Sequence, residues 1–404
     1  GSYSAESFWA KVLHCIHTDK QVYDAAYDWM EISDWIPFMI TGKTHVEAAI
    51  HNMCTATHKA LYNPEWGGYP DKEFLLSLDP ALEKVHCRLE RAKVLACDQP
   101  AGMLSGQWAA RLGLSEHVVV ATSALDAHFG GIVAGIRPGI LVKILGTSSC
   151  DLAILKNQDV PISIGGSVGF AHDSIIPGYL GIEAGQSAVG DMFNWFVSNI
   201  KPQNMSHSQL EKQARLLYPG QSGLLALDWL NGNRTILGDQ LLSGMILGLT
   251  LQTTAAEMYQ ALIEAAAFGA RIIHNHLEKQ GISIKEIIIC GGIPSKNAHL
   301  MQTYADICKK PLRLAGSHNT SALGGAIAAT VCAGIYPSIE EAIEAMTSPS
   351  NSIYYPREKE SEIYDRLYSM YKNLHDAFGK KGQAIDVFSV MKELLQLKEE
   401  VRGM

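Results

Sequence analysis

From Ser4 to about Leu114 the apolar positions recur at helical spacing. They begin with Ser4-Ala5-Glu6-Ser7-Phe8-Trp9 and run through Asp34-Trp35-Ile36-Pro37-Phe38 to a turn at Thr41-Gly42. This pattern predicts helices and no sheet of their own. An apolar helical stripe must be buried against another layer, so the segment reads as part of a domain. At His117 the texture changes. The runs Val118-Val119-Val120-Ala121-Thr122, Ile140-Leu141-Val142-Lys143-Ile144-Leu145 and Asp151-Leu152-Ala153-Ile154-Leu155 predict strands, the last two as a hairpin.

Farther on, Thr254-x-x-Glu257 opens a helix that carries Met258, Leu262, Ala265, Phe268 and Ile272 on one face and stops at Gly281. A strand at 285–290 follows, then Gly291-Gly292, a helix from about Asn297 to Lys309, a break at Pro311, a strand at 312–314 and a small-residue helix from Ser321 to Ala333. This is the grammar of an α/β domain with ligand loops at strand ends. From Pro349 to Met404 the chain is charged and helical, as for an element laid against the domains.

Length and composition narrow the picture further. A chain of 404 residues with 47% hydrophobic and 18% charged residues predicts two domains that fold in water. A net charge of −8 offers no field for nucleic acid or a membrane surface, and no run of about 18 apolar residues is present. A cytoplasmic protein is expected. Its eight cysteines lie singly, without a Cys-x-x-Cys pair, and are expected to be reduced thiols. Gly1-Ser2 in place of an initiator methionine is what a cleaved tag leaves, so the natural chain is expected to begin upstream.

Three places can carry chemistry. Asp126, in Ser123-Ala124-Leu125-Asp126-Ala127-His128-Phe129-Gly130-Gly131, follows a strand and can project into a cleft; it can equally cap the next helix. The turn Gly146-Thr147-Ser148 offers backbone N–H groups and hydroxyls to a phosphate, and an ordinary β-turn explains it as well. Cys150 beside it reads as a buried structural thiol. Gly291-Gly292, before a helix, lets a nucleotide lie against bare backbone near a positive helix terminus. Neither a dinucleotide fingerprint nor a P-loop is present. Gly324-Gly325 reads as close helix packing. His14 with His17, and His274 with His276, lack a third ligand at metal spacing, so no protein-held metal is expected.

Together these signals resemble the FGGY carbohydrate kinase family. The span from Gly291-Gly292 through Asn297, Met301-Gln302 and Ala305-Asp306 to Pro311 is similar to the family's carboxyl-terminal signature. The resemblance implies two actin-like (ribonuclease H-like) ATPase domains in an α/β fold: a remainder of the first domain at 1–115, a nucleotide-binding domain at 116–345, and a helical element at 346–404. It reads Asp126 as the catalytic base, Gly146, Thr147 and Ser148 as a phosphate loop, and Gly291, Gly292 and Asn297 as nucleotide-binding.

Within the family, Asp126-Ala127-His128, Thr57-His58-Lys59-Ala60-Leu61-Tyr62-Asn63, Gly102-Met103-Leu104-Ser105 and Gly181-Ile182-Glu183-Ala184-Gly185-Gln186-Ser187 look like the ribulokinase branch. That branch phosphorylates L-ribulose in L-arabinose catabolism. By this resemblance Lys59 and Glu183 contact the ketopentose hydroxyls; a surface salt bridge is the competing role for each. ATP with Mg²⁺ is the expected cosubstrate, and a homodimer is compatible with the pattern. A kinase for xylulose or glycerol, or a nucleotide-binding scaffold without transfer, are the rival readings. Two departures stand out. Ser123-Ala124 replaces a glycine found before the aspartate in many members, and the family's amino-terminal Asp-x-Gly-Thr-x-Ser loop is absent from residues 1–30. These 404 residues alone are therefore expected to lack turnover.

Overall fold

The computed structural model describes residues 5–45, 49–156, 165–200, 205–317 and 319–403. Gly1-Ser2, Ser4 and Met404, which bound some of the readings above, lie outside the described residues. In the amino-terminal part, the helix Phe8–Thr18 buries Phe8, Trp9, Val12 and Ile16. They meet Tyr23, Ala56, Leu75, Leu82, Val85 and Leu89 in a small core of their own. The Trp9 indole N–H donates to the Ala60 carbonyl at 2.8 Å and so ties this helix to the end of the helix Met53–Ala60.

The expectation that this part has no sheet needs correction. β1 (Ile50–Asn52) pairs in parallel with β2 (Lys93–Leu95), and β3 (Pro100–Met103) pairs antiparallel with β4 (Val119–Ala121). Strands of three or four residues are too short to display alternation. β1 is also fixed by a tertiary contact: the buried Asp34 carboxylate accepts the Asn52 N–H at 2.8 Å and faces His51 Nδ1 at 3.0 Å. The strand read at Val118-Val119-Val120 is present as β4, but its partner is β3 and not the large sheet.

The rest of the chain is built on that sheet. Its strands are β5 (Gly139–Leu145), β6 (Ser149–Lys156), β7 (Gly169–His172) and β8 (Tyr179–Ala184), and, after a separate ribbon of β9 (Leu225–Leu227) and β10 (Met245–Leu247), β11 (Ile284–Cys290), β12 (Leu312–Leu314) and β13 (Ile353–Tyr354). Their order is β13-β12-β11-β5-β6-β8-β7. β5, β11 and β12 are mutually parallel, and the other neighbours are antiparallel.

Alternation divides the side chains between two cores. Leu141, Leu145, Ala153, Ile182, Ile287 and Ile289 face the long helix Ala255–Lys279. Ile140, Val142, Leu152, Ile154, Ile288 and Cys290 face the helices Asp126–Val133, Thr320–Cys332 and Ile339–Met346. Each fully buried Leu or Ile contributes about 1.5–3 kcal/mol, so a one-residue slip of register would be costly.

The long helix carries the capping box expected at Thr254 and Glu257. The helices Glu358–Gly379 and Val390–Arg402 complete its core with Leu367, Tyr371, Leu374, Leu394 and Leu397. Gly324 is where two helices touch: a Cβ there would stand 2.3 Å from the Phe129 carbonyl oxygen. Among the described residues no helix is long and apolar enough to cross a membrane.

Candidate active site

Glu183 lies in β8, opposite Leu152 of β6 and Gly169 of β7. Its neighbours Ile182 and Ala184 enter the long-helix core, so alternation turns Glu183 to the other face. There its Oε2 stands 3.4 Å from His58 Nδ1 and 3.6 Å from His128 Nε2. His58 comes from the last turn of Met53–Ala60, the helix that lies against β7. A Cβ on Gly169 would lie at ordinary contact distance, 3.4 Å, from His58 Nδ1, so the imidazole packs directly against this position of β7. His128 comes from the first turn of Asp126–Val133. The two rings lie 4.8 Å apart between centroids. The histidine side chains are 5% and 1% exposed, and Glu183 is 19% exposed.

Burial lowers the pKa of both imidazoles, that of His128 to about 3. The same burial pushes Glu183 up, but His58, His128, Lys59 and Arg234 around it outweigh that push and bring it down to about 2. At neutral pH an ionised carboxylate therefore faces two neutral imidazoles. Both nitrogens of His128, Nε2 of His58 and Oε2 of Glu183 are buried without a hydrogen-bond partner. Buried polar atoms are normally paired, so this departure calls for an explanation.

The structure places Lys59 beside this group, close enough that its charge is felt by His58, His128 and Glu183. Glu183 is only partly exposed, and the groups its carboxylate faces are the buried imidazoles of His58 and His128. Asp126 is exposed and is the first residue of its helix, two positions before His128. Leu125 holds the N-cap position, and Asp126, in the first turn, accepts the Ala127 N–H through Oδ1 at 2.8 Å, a contact to a free helix-terminal donor that is compatible with the helix-capping alternative. Ser321 Oγ donates to the Asp126 carbonyl at 2.9 Å and holds the helix start.

Gly146-Thr147-Ser148 connects β5 to β6, with Gly146 and Thr147 exposed. Its carbonyls are pinned from below: Thr147 accepts from Val189 at 2.8 Å and Asp191 at 3.1 Å, and Gly146 accepts from Gly190 at 3.0 Å. Gly190 is required there, since a Cβ would stand 2.4 Å from the Gly146 oxygen. Gly291, at φ +117°, approaches the same strand end; its Cβ would meet the Leu145 oxygen at 2.1 Å. The two glycine loops are thus neighbours. A groove of about 330 Å³ opens beside Gly291 at the ends of β11 and β12, lined by Ser295, Gly316, Ser317, Ser348 and Ser350. Such crevices at the carboxyl ends of parallel strands are common ligand sites. Gly292 is exposed, whereas Asn297 is buried and caps the helix Ala298–Cys308 by accepting the Leu300 N–H at 2.7 Å. Burial pushes the Cys150 thiol well above its ordinary value, in keeping with a structural role, and all eight cysteines are free.

Beneath the turn lies a second polar group that the sequence reading did not single out. Lys143 Nζ, fully buried, donates to Asp151 at 2.8 and 3.1 Å, to Ser149 Oγ at 3.1 Å and to Gln186 Oε1 at 3.0 Å. Gln186 Nε2 donates to Asp228 at 2.8 Å, and Tyr371 OH donates to the other Asp228 oxygen at 2.7 Å.

Of the histidine pairs considered in the sequence, His17 pairs with Asp79 at 3.0 Å, His276 faces the Gly165 carbonyl at 2.8 Å, and His274 is buried. Among the described residues the one cluster of three metal-ligating side chains is His58, His128 and Glu183. The sequence reading quoted the segments that hold His58 and His128 but weighed only Lys59 and Asp126 in them. Proximity to those two positions was the available signal.

Residues 141–333 match the model of the FGGY family of carbohydrate kinases, C-terminal domain. The chain is 41% identical to the ribulokinase of Halalkalibacterium halodurans, over 98% of its own length and 71% of that protein's. It is 38% identical to the ribulokinase of Shouchella clausii, over 100% and 72%. Among solved structures, a gluconate kinase from Lactobacillus acidophilus superposes with a TM-score of 0.79 at 20% identity, over 93% of this chain and 73% of that one. Plasmodium falciparum glycerol kinase with ADP does so with a TM-score of 0.74 at 15% identity, over 91% and 72%. These neighbours share the two-domain, actin-like ATPase fold.

Proposed function

Because the chain belongs to the FGGY family of carbohydrate kinases, we propose that it transfers the γ-phosphoryl group of ATP to a ketopentose, L-ribulose, giving L-ribulose 5-phosphate. The ribulokinase relatives support the choice of sugar. The observation that supports the sugar side of the site is the meeting of His58, beside Lys59, with His128 and Glu183 from distant parts of the chain; Asp126, two positions before His128, is assigned by the family resemblance.

In this reading Lys59 and Glu183 hold sugar hydroxyls, and Asp126 accepts the proton of the C5 hydroxyl. That oxygen attacks the γ-phosphorus in line, the bond from phosphorus to the β,γ-bridging oxygen breaks, and ADP leaves. A carboxylate is a weak base for an alcohol, but in a loose transition state the proton moves late and orientation supplies much of the benefit. Thr147, Ser148 and the N–H groups of their turn bind phosphate oxygens, and the groove beside Gly291 and Gly292 receives the adenosine. Asn297 serves the nucleotide indirectly, by capping the helix behind that loop. Mg²⁺ enters with ATP as part of the substrate and draws charge from the phosphates. Residues 116–345 carry most of the nucleotide site, 1–115 supply Lys59 to the sugar, and 346–404 add Ser348 and Ser350 to the groove and brace it.

A coupled assay of the gene's intact product with MgATP and a panel of L-ribulose, D-ribulose, xylulose and glycerol tests this. L-Ribulose should give the highest kcat/KM. A preference for xylulose or glycerol, or no turnover with any of the four, would overturn the assignment.

A further inference from the structure

Two buried imidazoles and a partly buried carboxylate, gathered in one place and each with a buried polar atom lacking a hydrogen-bond partner, need a ligand or a proton to account for them. Glu183 Oε2 is 3.4 Å from His58 Nδ1 and 3.6 Å from His128 Nε2, and donor atoms of all three residues lie within 4.8 Å of one another. Ligands held about 2.0–2.1 Å from Zn²⁺ at tetrahedral angles lie roughly 3.3–3.4 Å from each other. The two edges from Glu183 are close to that length and long for hydrogen bonds, and the third, between the imidazole nitrogens, is no longer than 4.8 Å, so the two rings would draw together around an ion. We infer that His58, His128 and Glu183 form a binding site for one late first-row divalent cation of the Zn²⁺ type, with a further position open on the solvent side of Glu183.

The donor chemistry selects the ion. Two imidazoles with one carboxylate suit Zn²⁺, Co²⁺ or Ni²⁺, whereas Mg²⁺ prefers oxygen ligands and water, so this site is distinct from the Mg²⁺ that travels with ATP. Of the three ligands, Glu183 alone keeps appreciable exposure, at 19%, which gives an ion a way in and leaves room for a water or hydroxyl oxygen. One consequence rests on the proposed sugar site: a cation bound to Glu183 competes with the ketopentose for the same carboxylate.

Metal-freed protein titrated with Co²⁺, followed by its visible d–d absorption, tests the site directly. One equivalent should bind with a dissociation constant on the order of 10 µM or tighter. Zn²⁺ should displace it, and millimolar Mg²⁺ should not. His58→Ala and His128→Ala, checked for folding by circular dichroism, should each weaken binding by about 100-fold or more. If either variant fails to fold, wild-type protein loaded with Co²⁺ supplies the reading, through two paramagnetically shifted, exchangeable imidazole N–H resonances from the ring nitrogens that do not bind the ion. No stoichiometric Co²⁺ binding, binding unchanged in folded variants, or absence of the shifted resonances would each refute the site. L-Ribulose should raise the apparent dissociation constant for Co²⁺. A Co²⁺ site that is indifferent to L-ribulose would leave the metal inference standing and count against Glu183 as a sugar ligand.

Discussion

Two buried polar groups flank the end of β8, and they are built on opposite terms. Around Lys143, Asp151, Gln186, Asp228 and Tyr371 every donor meets an acceptor at 2.7–3.1 Å. Around His58, His128 and Glu183, where Glu183 stands three positions before Gln186, four buried atoms have no hydrogen-bond partner. The first arrangement is architecture. It fixes the hairpin that carries Thr147 and Ser148, and its low-dielectric setting makes every bond in it costly to break. The second is unfinished by the protein itself, as a site that awaits something from outside should be. Pairing, more than burial, separates scaffold from site here.

The sharpest way to break the comparison is to unpair the paired group. Lys143→Met leaves the buried Asp151 without its partner, and should cost about 3–5 kcal/mol of unfolding free energy in a denaturant titration. Lys143→Met combined with Asp151→Leu should recover much of that loss. A single mutant within about 0.5 kcal/mol of wild type would show that the network does not stabilise the fold.

Asp126→Asn should act on the other axis. In the gene's intact product kcat should fall by about 10²–10⁴, roughly 3–5 kcal/mol of transition-state stabilisation, with ATP affinity little changed. Its exposed position predicts unfolding stability close to wild type. A variant that keeps most of its turnover would remove Asp126 from the mechanism.

His274 tests where the contrast ends. Both its ring nitrogens are unpartnered, yet it is buried on the long helix near Lys143 and Asp151, away from the cleft. Burial lowers its pKa to about 4 from an ordinary value near 6.5. Between those values the unfolded chain binds the extra proton, so the stability contribution is present above pH 6.5 and is lost as pH falls toward 4. The change is about 3 kcal/mol for this buried group. His274→Gln should flatten the fall of the unfolding midpoint between pH 6.5 and 4, and an unaltered pH profile would contradict the assignment.

The smallest effects should be at the sugar ligands. Glu183→Gln and Lys59→Ala should raise KM for the ketopentose by about 10–100-fold through loss of charged hydrogen bonds, and should raise KM for ATP much less. Equal changes for both substrates would mean that these residues hold the cleft together without contacting sugar.

Much of the molecule was legible one segment at a time. Continuous apolar runs such as the one ending Ile284–Cys290 announce strands buried on both faces, the Thr254 capping box announces a 25-residue helix, and the order Gly146, Gly291, Asn297 places loops at strand ends. These signals are local because backbone hydrogen bonding and side-chain direction are set within a few residues. The family signature, read in the same linear way, pointed to Asp126 and Glu183.

Other features had no linear trace. The three-residue strands β1 and β2 exist because each has the other and because Asp34 reaches across to Asn52. Lys143 reads in sequence as an interruption of an apolar strand; only its register opposite Asp151 makes a fully buried ammonium affordable. His58, His128 and Glu183 are separated by 70 and 55 positions, and nothing in the composition around any one of them marks its partners. Spacing along the chain determined the elements and the family of this protein. The pairing of its buried charges and the meeting of its unpaired ligands were decided by the tertiary fold, because Coulomb and coordination interactions act through distance in space.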